Sequence, residues 1–306
     1  MPLDLIHHLL SIAVLLLGPP LLLGAINRTK AAFAGRQGPP LLQPYLELRR
    51  LWHKSTVFST ATALPFRLGP IVSVATALLA LTLIPLAGHA PLLAFRGDML
   101  LLVYLLALGR FAIALAALDT ASPFEGMGSA REVTFGALAE PALLLGLIIL
   151  VRLTGSTSLS VMLAPALTEH WTAGAASLVL VAISWFVVML AENSRIPFDD
   201  PNTHLELTMV HEVMVLDHSG PLLGLVHYAA ALKLFVYAAL LQRILIPRSV
   251  GPWLDWVVFA AGVLAIAVAI GVAESMLARV RLLAVPRLLV AASLASIFGV
   301  LLLTRA

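Results

Sequence analysis

The densest run of ionisable side chains is Glu192-Asn193-Ser194-Arg195-Ile196-Pro197-Phe198-Asp199-Asp200-Pro201-Asn202-Thr203-His204-Leu205-Glu206-Leu207-Thr208-Met209-Val210-His211-Glu212. Carboxylates set among a guanidinium and imidazoles are suited to proton transfer. Burial raises a carboxyl pKa and a neighbouring cation lowers it, so protonation can follow a small change in nearby charge. Pro197 and Pro201 break helix and favour extended backbone just before them. Asn202 or Thr203 can then cap a short helix over about 203–216. In that helix His204 and His211 lie about 20° apart on one face at 3.6 residues per turn, and Glu206 and Glu212 point elsewhere.

A second acidic set is Arg131, Glu132 and Glu140. Glu140 sits inside an apolar stretch and precedes Pro141, which weakens the helix ladder locally. Arg110, Lys233 and Glu274 also fall within or at the end of apolar stretches. A charge at lipid depth is costly, so each should face the bundle interior, water or a partner charge. The competing role for each is a static ion pair that locks helices, or a side chain snorkelling to the interface. Clustering of the whole set on one side favours function.

Other chemistries are excluded or weakened. There is no cysteine, which removes disulfides, thiolate zinc sites, iron–sulfur ligation and a cysteine nucleophile from this chain. Electron chemistry must therefore reside on a partner or a diffusible quinone. His211-Glu212 resembles the start of a zinc-protease helix, but Val215 stands where the second histidine belongs. Asp199-Asp200 lacks the second aspartate motif of a magnesium–diphosphate site. His7 and His8 read as interfacial.

The elements that position these residues follow from composition. Of 306 residues, 60% are hydrophobic and 11% charged, with a mean hydropathy of +1.00. Soluble domains run at about 45–50% and 25% respectively, so the excess apolar surface requires lipid. Spans of about 20 apolar residues cross a bilayer, and they fall at about 5–26, 70–88, 99–118, 134–153, 172–191, 222–245, 255–278 and 285–304. All must be helices, since open strands cannot satisfy their backbone in lipid. The first has no basic residue before it and is read as a retained span rather than a signal peptide. The expected fold is an all-α integral membrane protein: a single polytopic domain over 1–306, with about eight transmembrane helices. Long cytoplasmic loops run over about 27–69 and 192–221. Residues 41–54 form an amphipathic interfacial helix anchored by Tyr45 and Trp52.

With eight spans, 12 of the 19 Lys and Arg fall on the side of the first connection and five on the other, leaving Arg110 and Lys233 within spans. The positive-inside rule puts the first side in the cytoplasm and both termini outside. Twelve of the 16 acids lie on that same side. Acids do not obey this rule, so topology does not force their bias. The composition calls for a lipid bilayer as partner and for no nucleic acid.

The segment Gly35-Arg36-Gln37-Gly38-Pro39-Pro40-Leu41-Leu42-Gln43-Pro44 resembles the stretch after the first helix in the quinone-site membrane subunit of respiratory NADH dehydrogenase, complex I. Ala191-Glu192-Asn193-Ser194-Arg195-Ile196-Pro197-Phe198-Asp199 resembles that family's Ala-Glu-Thr-Asn-Arg-Ala-Pro-Phe-Asp loop. Within the family, residues 199–212 and Glu274-Ser275-Met276-Leu277-Ala278-Arg279-Val280-Arg281-Leu282 are similar to the branch found in membrane-bound NiFe hydrogenases of the formate hydrogenlyase type. Here Asn202 and His204 replace two acids of the complex I form. The resemblance implies a plasma-membrane anchor, bacterial or archaeal, beneath the large and small iron–sulfur subunits of a NiFe hydrogenase, beside antiporter-like membrane subunits. It implies ion coupling through Glu140, Glu192, Asp199, Glu206, Glu212, Lys233 and Glu274, with Arg131, Arg195 and Arg279 tuning charge. Arg36, Gln37, Gly38, Pro39, Gln43 and Pro44 would form the partner-docking loop. No cofactor belongs to the chain itself; a quinone is the one to consider, and a quinone-binding subunit of an NADH dehydrogenase-like complex is the alternative function.

Overall fold

The computed structural model describes residues 2–199, 209–247 and 249–305. Among them all regular structure is helical. The long helices are α1 (Pro2–Phe33), α3 (Leu64–Thr82), α4 (Asp98–Asp119), α5 (Pro123–Thr154), α7 (Leu167–Glu192), α9 (Gly220–Leu245), α10 (Leu254–Met276) and α11 (Val285–Arg305). Shorter pieces are α2 (Gln43–Trp52), α6 (Leu159–Met162) and α8 (His211–Met214). Eight segments are long and apolar enough to cross a membrane, matching the eight spans of the sequence. One continuous apolar core draws residues from all eight long helices.

The expected boundaries shift most at α5, which begins at Pro123 rather than about 134. Glu125, Arg131 and Glu132 depress hydropathy there, yet the helix continues because protein takes up their polarity. Glu125 Oε1 accepts from the Asp217 amide at 3.0 Å, and Arg131 Nη1 donates to the Met209 carbonyl at 2.9 Å. Pro123 opens the helix, where its missing N–H costs nothing.

The interfacial helix is present as α2. Leu51 and Pro44 turn inward while Arg49, Arg50 and Trp52 remain exposed. The Tyr45 hydroxyl bonds to the Leu17 carbonyl of α1. Tyr228 of α9 donates to the Leu16 carbonyl at 2.9 Å. That carbonyl lost its helical partner to Pro20, which has no N–H. The stretch of α1 before its proline pair is thus tied to both α2 and α9.

The helix expected over 203–216 is reduced, among the described residues, to the single turn α8; His204 and Glu206 lie outside the described residues. The turn starts where it does because Asp199 Oδ2 accepts from the amides of Val210, at 3.0 Å, and His211, at 3.3 Å.

Close helix approach relies on glycines, as is common in membranes. A methyl group on Gly146 of α5 would overlap the indole of Trp185 on α7. Gly146→Ala should therefore lower the thermal stability of the detergent-solubilised protein by about 1–3 kcal/mol through overpacking. Adding Trp185→Phe should recover most of that loss, as read from the unfolding midpoints of the two variants.

Candidate functional site

Five charged side chains meet between α4, α5, α7 and α9. Arg110 projects from the middle of α4, and its path exists because α5 carries Gly136 there; any side chain at that position would collide with the guanidinium. Arg110 Nη2 lies 3.1 Å from Glu140 Oε1 and 3.2 Å from Glu192 Oε1. One nitrogen thus serves two carboxylates from two helices. Glu192, at the end of α7, is 3% exposed, while Glu140 on α5 is 35% exposed.

Lys233 of α9 faces the other side of Glu192. Its Nζ is 3.7 Å from Glu192 Oε2 and 3.9 Å from Glu132 Oε1. These separations are too long for direct hydrogen bonds. A cavity of about 50 Å³ sits here, lined by Arg110, Glu132, Glu192, His211 and Lys233 among others. Its wall carries these charged groups and it is large enough for water, and a bridging water would complete these contacts.

A second cavity, of about 220 Å³, opens beside it. Its apolar wall includes Pro20, Leu23, Leu48, Leu51 and Leu234, and its polar wall Asn27, Arg195, Asp199, His227 and Glu212. The two cavities share Asn193, His211 and Ala230. Burial, and then the nearby Lys233 and His227, push the His211 imidazole down to about 3, so this shared wall carries a neutral ring at physiological pH.

A rim of ion pairs reaches the larger cavity through Arg195 and Asp199, which line it. Glu274 of α10 lies 2.6 Å from Lys30 of α1 and 3.2 Å from Arg195. Asp199 Oδ1 accepts from Arg279 Nη2 at 3.2 Å. Pro44 is buried in the cavity wall, whereas Arg36, Gln37 and Pro39 are exposed and Gly38 packs over Ala31. Gln43 donates to Glu47 at 3.3 Å within α2.

The structure therefore sorts the expected residues into two tiers. Glu140, Glu192 and Lys233 belong to the interior cluster. Asp199, Glu274, Arg195 and Arg279 form the rim, Glu212 lines the larger cavity, and Glu206 lies outside the described residues. Arg131 holds the backbone of the loop at Met209. Within the interior, the cation beside Glu140 and Glu192 is Arg110, visible in the sequence as the lone charge inside α4. Lys30, counted in the sequence only as a loop charge, is a rim partner, and Tyr237 of α9, which had no sequence signal, borders Arg110, Glu140 and Glu192. Among the described residues no group of three or more His, Cys, Asp or Glu is placed to hold a metal ion.

Eight spans enclose an internal acid–base cluster. The chain belongs to the NADH dehydrogenase family, whose model matches residues 6–305. It is 34% identical over 285 residues to Hydrogenase-4 component C of Escherichia coli strain K12, covering 91% of this chain and 89% of that protein. It is 31% identical over 301 residues to Formate hydrogenlyase subunit 4 of the same organism, covering 93% and 94%. Its fold matches a chain in the structure of the membrane-bound sulfane sulfur reductase, an archaeal respiratory membrane complex. That match has a TM-score of 0.82 at 21% identity and covers 98% of this chain and 100% of the other.

Removing Arg110 should take the near cation from Glu140 and leave Glu192 with the more distant Lys233. Arg110→Leu is expected to destabilise the purified protein by about 3–5 kcal/mol. Combining it with Glu140→Gln and Glu192→Gln should restore much of the loss in the same thermal assay. A separate effect concerns acid. The His211 pKa is lower folded than unfolded, so its neutral form contributes stability that is complete above about 6.5 and is lost as pH falls towards about 3. His211→Asn should flatten the decline in unfolding midpoint across that window.

Proposed function

We propose that the chain is the membrane-anchor and ion-coupling subunit of a membrane-bound hydrogenase complex of the formate hydrogenlyase type. In this reading a soluble module carrying a NiFe hydrogenase large subunit and small iron–sulfur subunits docks over residues 192–217 and the loop containing Arg36, Gln37, Pro39 and Gln43. Electron transfer there changes charge or loop position at the rim. The rim pairs of Asp199 and Glu274 sense that change, and the interior cluster responds by shifting protons among Glu132, Glu192 and Glu140. The cytoplasmic placement of the acidic end, and of both termini outside, follows the Lys and Arg bias.

The observation that carries this reading is the sharing of Arg110 by Glu140 and Glu192. Two carboxylates repel one another across a single shared cation, so a change of charge at one is felt at the other. Glu140 adds a direction. Its partly exposed carboxylate lies well inside a spanning helix, where contact with lipid is costly, so a polar surface of another membrane subunit must cover it. An antiporter-like subunit that takes up the ion step fits that place. A charge crossing 100 mV involves about 2.3 kcal/mol, which is the scale of a modest protonation shift.

The second reading is reduction of a quinone. The 220 Å³ cavity favours it, because apolar walls from α1 and α2 face Asn27, Arg195 and His227, a lining that suits a ring with polar oxygens. Sensitivity of the intact complex to quinone-site inhibitors would support it.

The test uses the intact complex in proteoliposomes, with methyl viologen driving redox turnover and dyes reporting H⁺ and Na⁺ movement. Glu192→Gln should assemble and turn over viologen normally while ion movement falls on the order of a hundredfold. Normal ion movement in an assembled Glu192→Gln complex would contradict the proposal.

A further inference from the structure

A surface groove runs along the seam between α1 and α10. Its volume is about 330 Å³, and Ala25, Arg28, Phe33, Leu41, Leu264 and Val268 are among the residues that line it. Two glycines shape it. A methyl group on Gly271 would overlap Thr29, so α10 sits this close to α1 only with glycine there. A methyl group on Gly24 would overlap the Leu41 carbonyl, so the chain after α1 can fold back onto that helix and bring Leu41 to the groove. Phe33, Leu41, Leu264 and Val268 remain exposed.

The depth of the groove is informative. From Leu264 to Glu274, α10 rises about 15 Å, and Glu274 lies 2.6 Å from Lys30 in the last turn of α1. The lining runs from Leu264 to Phe33, beyond that pair. It therefore covers the thickness of one leaflet, half of a hydrocarbon core of about 30 Å. A helix of another subunit, about 10 Å across, could lie over a seam of this volume but not in it. A single acyl chain fits within it.

The charge of the groove is unbalanced. Arg28 is the one ionisable residue among those that line it, and it is exposed. The acid at this end of the seam, Glu274, is already held by Lys30 and Arg195. Among the described residues no carboxylate pairs with Arg28. The Thr29 hydroxyl is turned inward, donating to the Ala25 carbonyl at 2.9 Å. A guanidinium matches two phosphate oxygens with two parallel N–H donors, and its long stem lets it reach headgroup level from an apolar wall.

We infer that the α1–α10 groove is a binding site for a phospholipid of net negative headgroup, with its phosphate on Arg28 and one acyl chain along Leu264 and Val268. The lipid supplies the counter-charge that Arg28 lacks. It also covers the exposed seam and bridges α1 and α10 beside the Lys30–Glu274 pair that joins them. A choline headgroup carries its own cation next to the phosphate and would serve Arg28 less well.

The experiment places the intact complex in nanodiscs that contain phosphatidylglycerol or phosphatidylcholine with a diazirine midway along one acyl chain. After irradiation, mass spectrometry locates the labelled residues. The expected result is about fivefold more labelling of Leu264 and Val268 from phosphatidylglycerol, the effect of one arginine on an anionic headgroup, and no such preference in Arg28→Gln. Equal labelling by the two lipids in the wild type makes the seam ordinary lipid contact and overturns the site, as does a preference that survives Arg28→Gln. Absence of label at both positions means that a neighbouring subunit covers the seam, which also overturns it. Should Arg28→Gln not assemble, Leu264→Trp blocks the path of the chain and keeps the charge. Labelling of Val268 by phosphatidylglycerol should then fall several-fold, and unchanged labelling there overturns the site.

Discussion

The arrangement of the bundle follows from one guanidinium that two carboxylates must share in a low-dielectric interior. Arg110 cannot lose its charge, and removing it from water without compensation would cost several kcal/mol. Glu140 and Glu192 supply that compensation from α5 and α7, so three helices are fixed in register by one ion cluster. Gly136 exists at the crossing because the guanidinium needs the volume of a side chain there. Lys233 enters from α9 and balances the second oxygen of Glu192 together with Glu132. The polar interior thus costs stability if any member is missing, which is the usual condition of a buried network.

A hierarchy of polarity follows from this cluster. The rim pairs, Lys30 and Arg195 on Glu274 and Arg279 on Asp199, have short contacts and partial exposure, and they fasten α1, α10 and the 193–199 loop. The interior pairs around Lys233 are looser and adjoin a cavity. The last contact, between Glu192 and Glu140, is dry. Going inward, the environment passes from an open cavity of about 220 Å³ through one of about 50 Å³ to a closed contact.

The fold was largely legible in the sequence because lipid leaves few options: eight apolar runs must become eight helices, and the amphipathic stretch around Tyr45 and Trp52 must lie at an interface. The start of α5 was not, because hydropathy treats Glu125, Arg131 and Glu132 as exposed, while the 209–217 segment bonds Glu125 and Arg131 and Lys233 of α9 faces Glu132. Glu140, Glu192 and Lys233 were recognisable as costly charges within or bordering spans, and Arg110 by the same rule. Which cation meets which acid was hidden, because helix rotation and packing decide it and neither is encoded in a single span. Arg195 is close in sequence to Glu192 yet pairs with Glu274, 79 positions away. Tyr237 and Gly136 gave no signal, since a tyrosine or glycine in an apolar helix is ordinary until its neighbours are known.

The central claim is that the acids held by Arg110 change protonation during redox turnover. Redox-difference infrared spectroscopy of the intact complex in the carboxyl-stretch region reads this directly. A carboxyl band that appears or disappears on reduction, shifts in D₂O, and is lost in Glu192→Gln and in Glu140→Gln is the expected result. A redox difference spectrum with no carboxyl change, or one that both variants leave intact, would contradict the account.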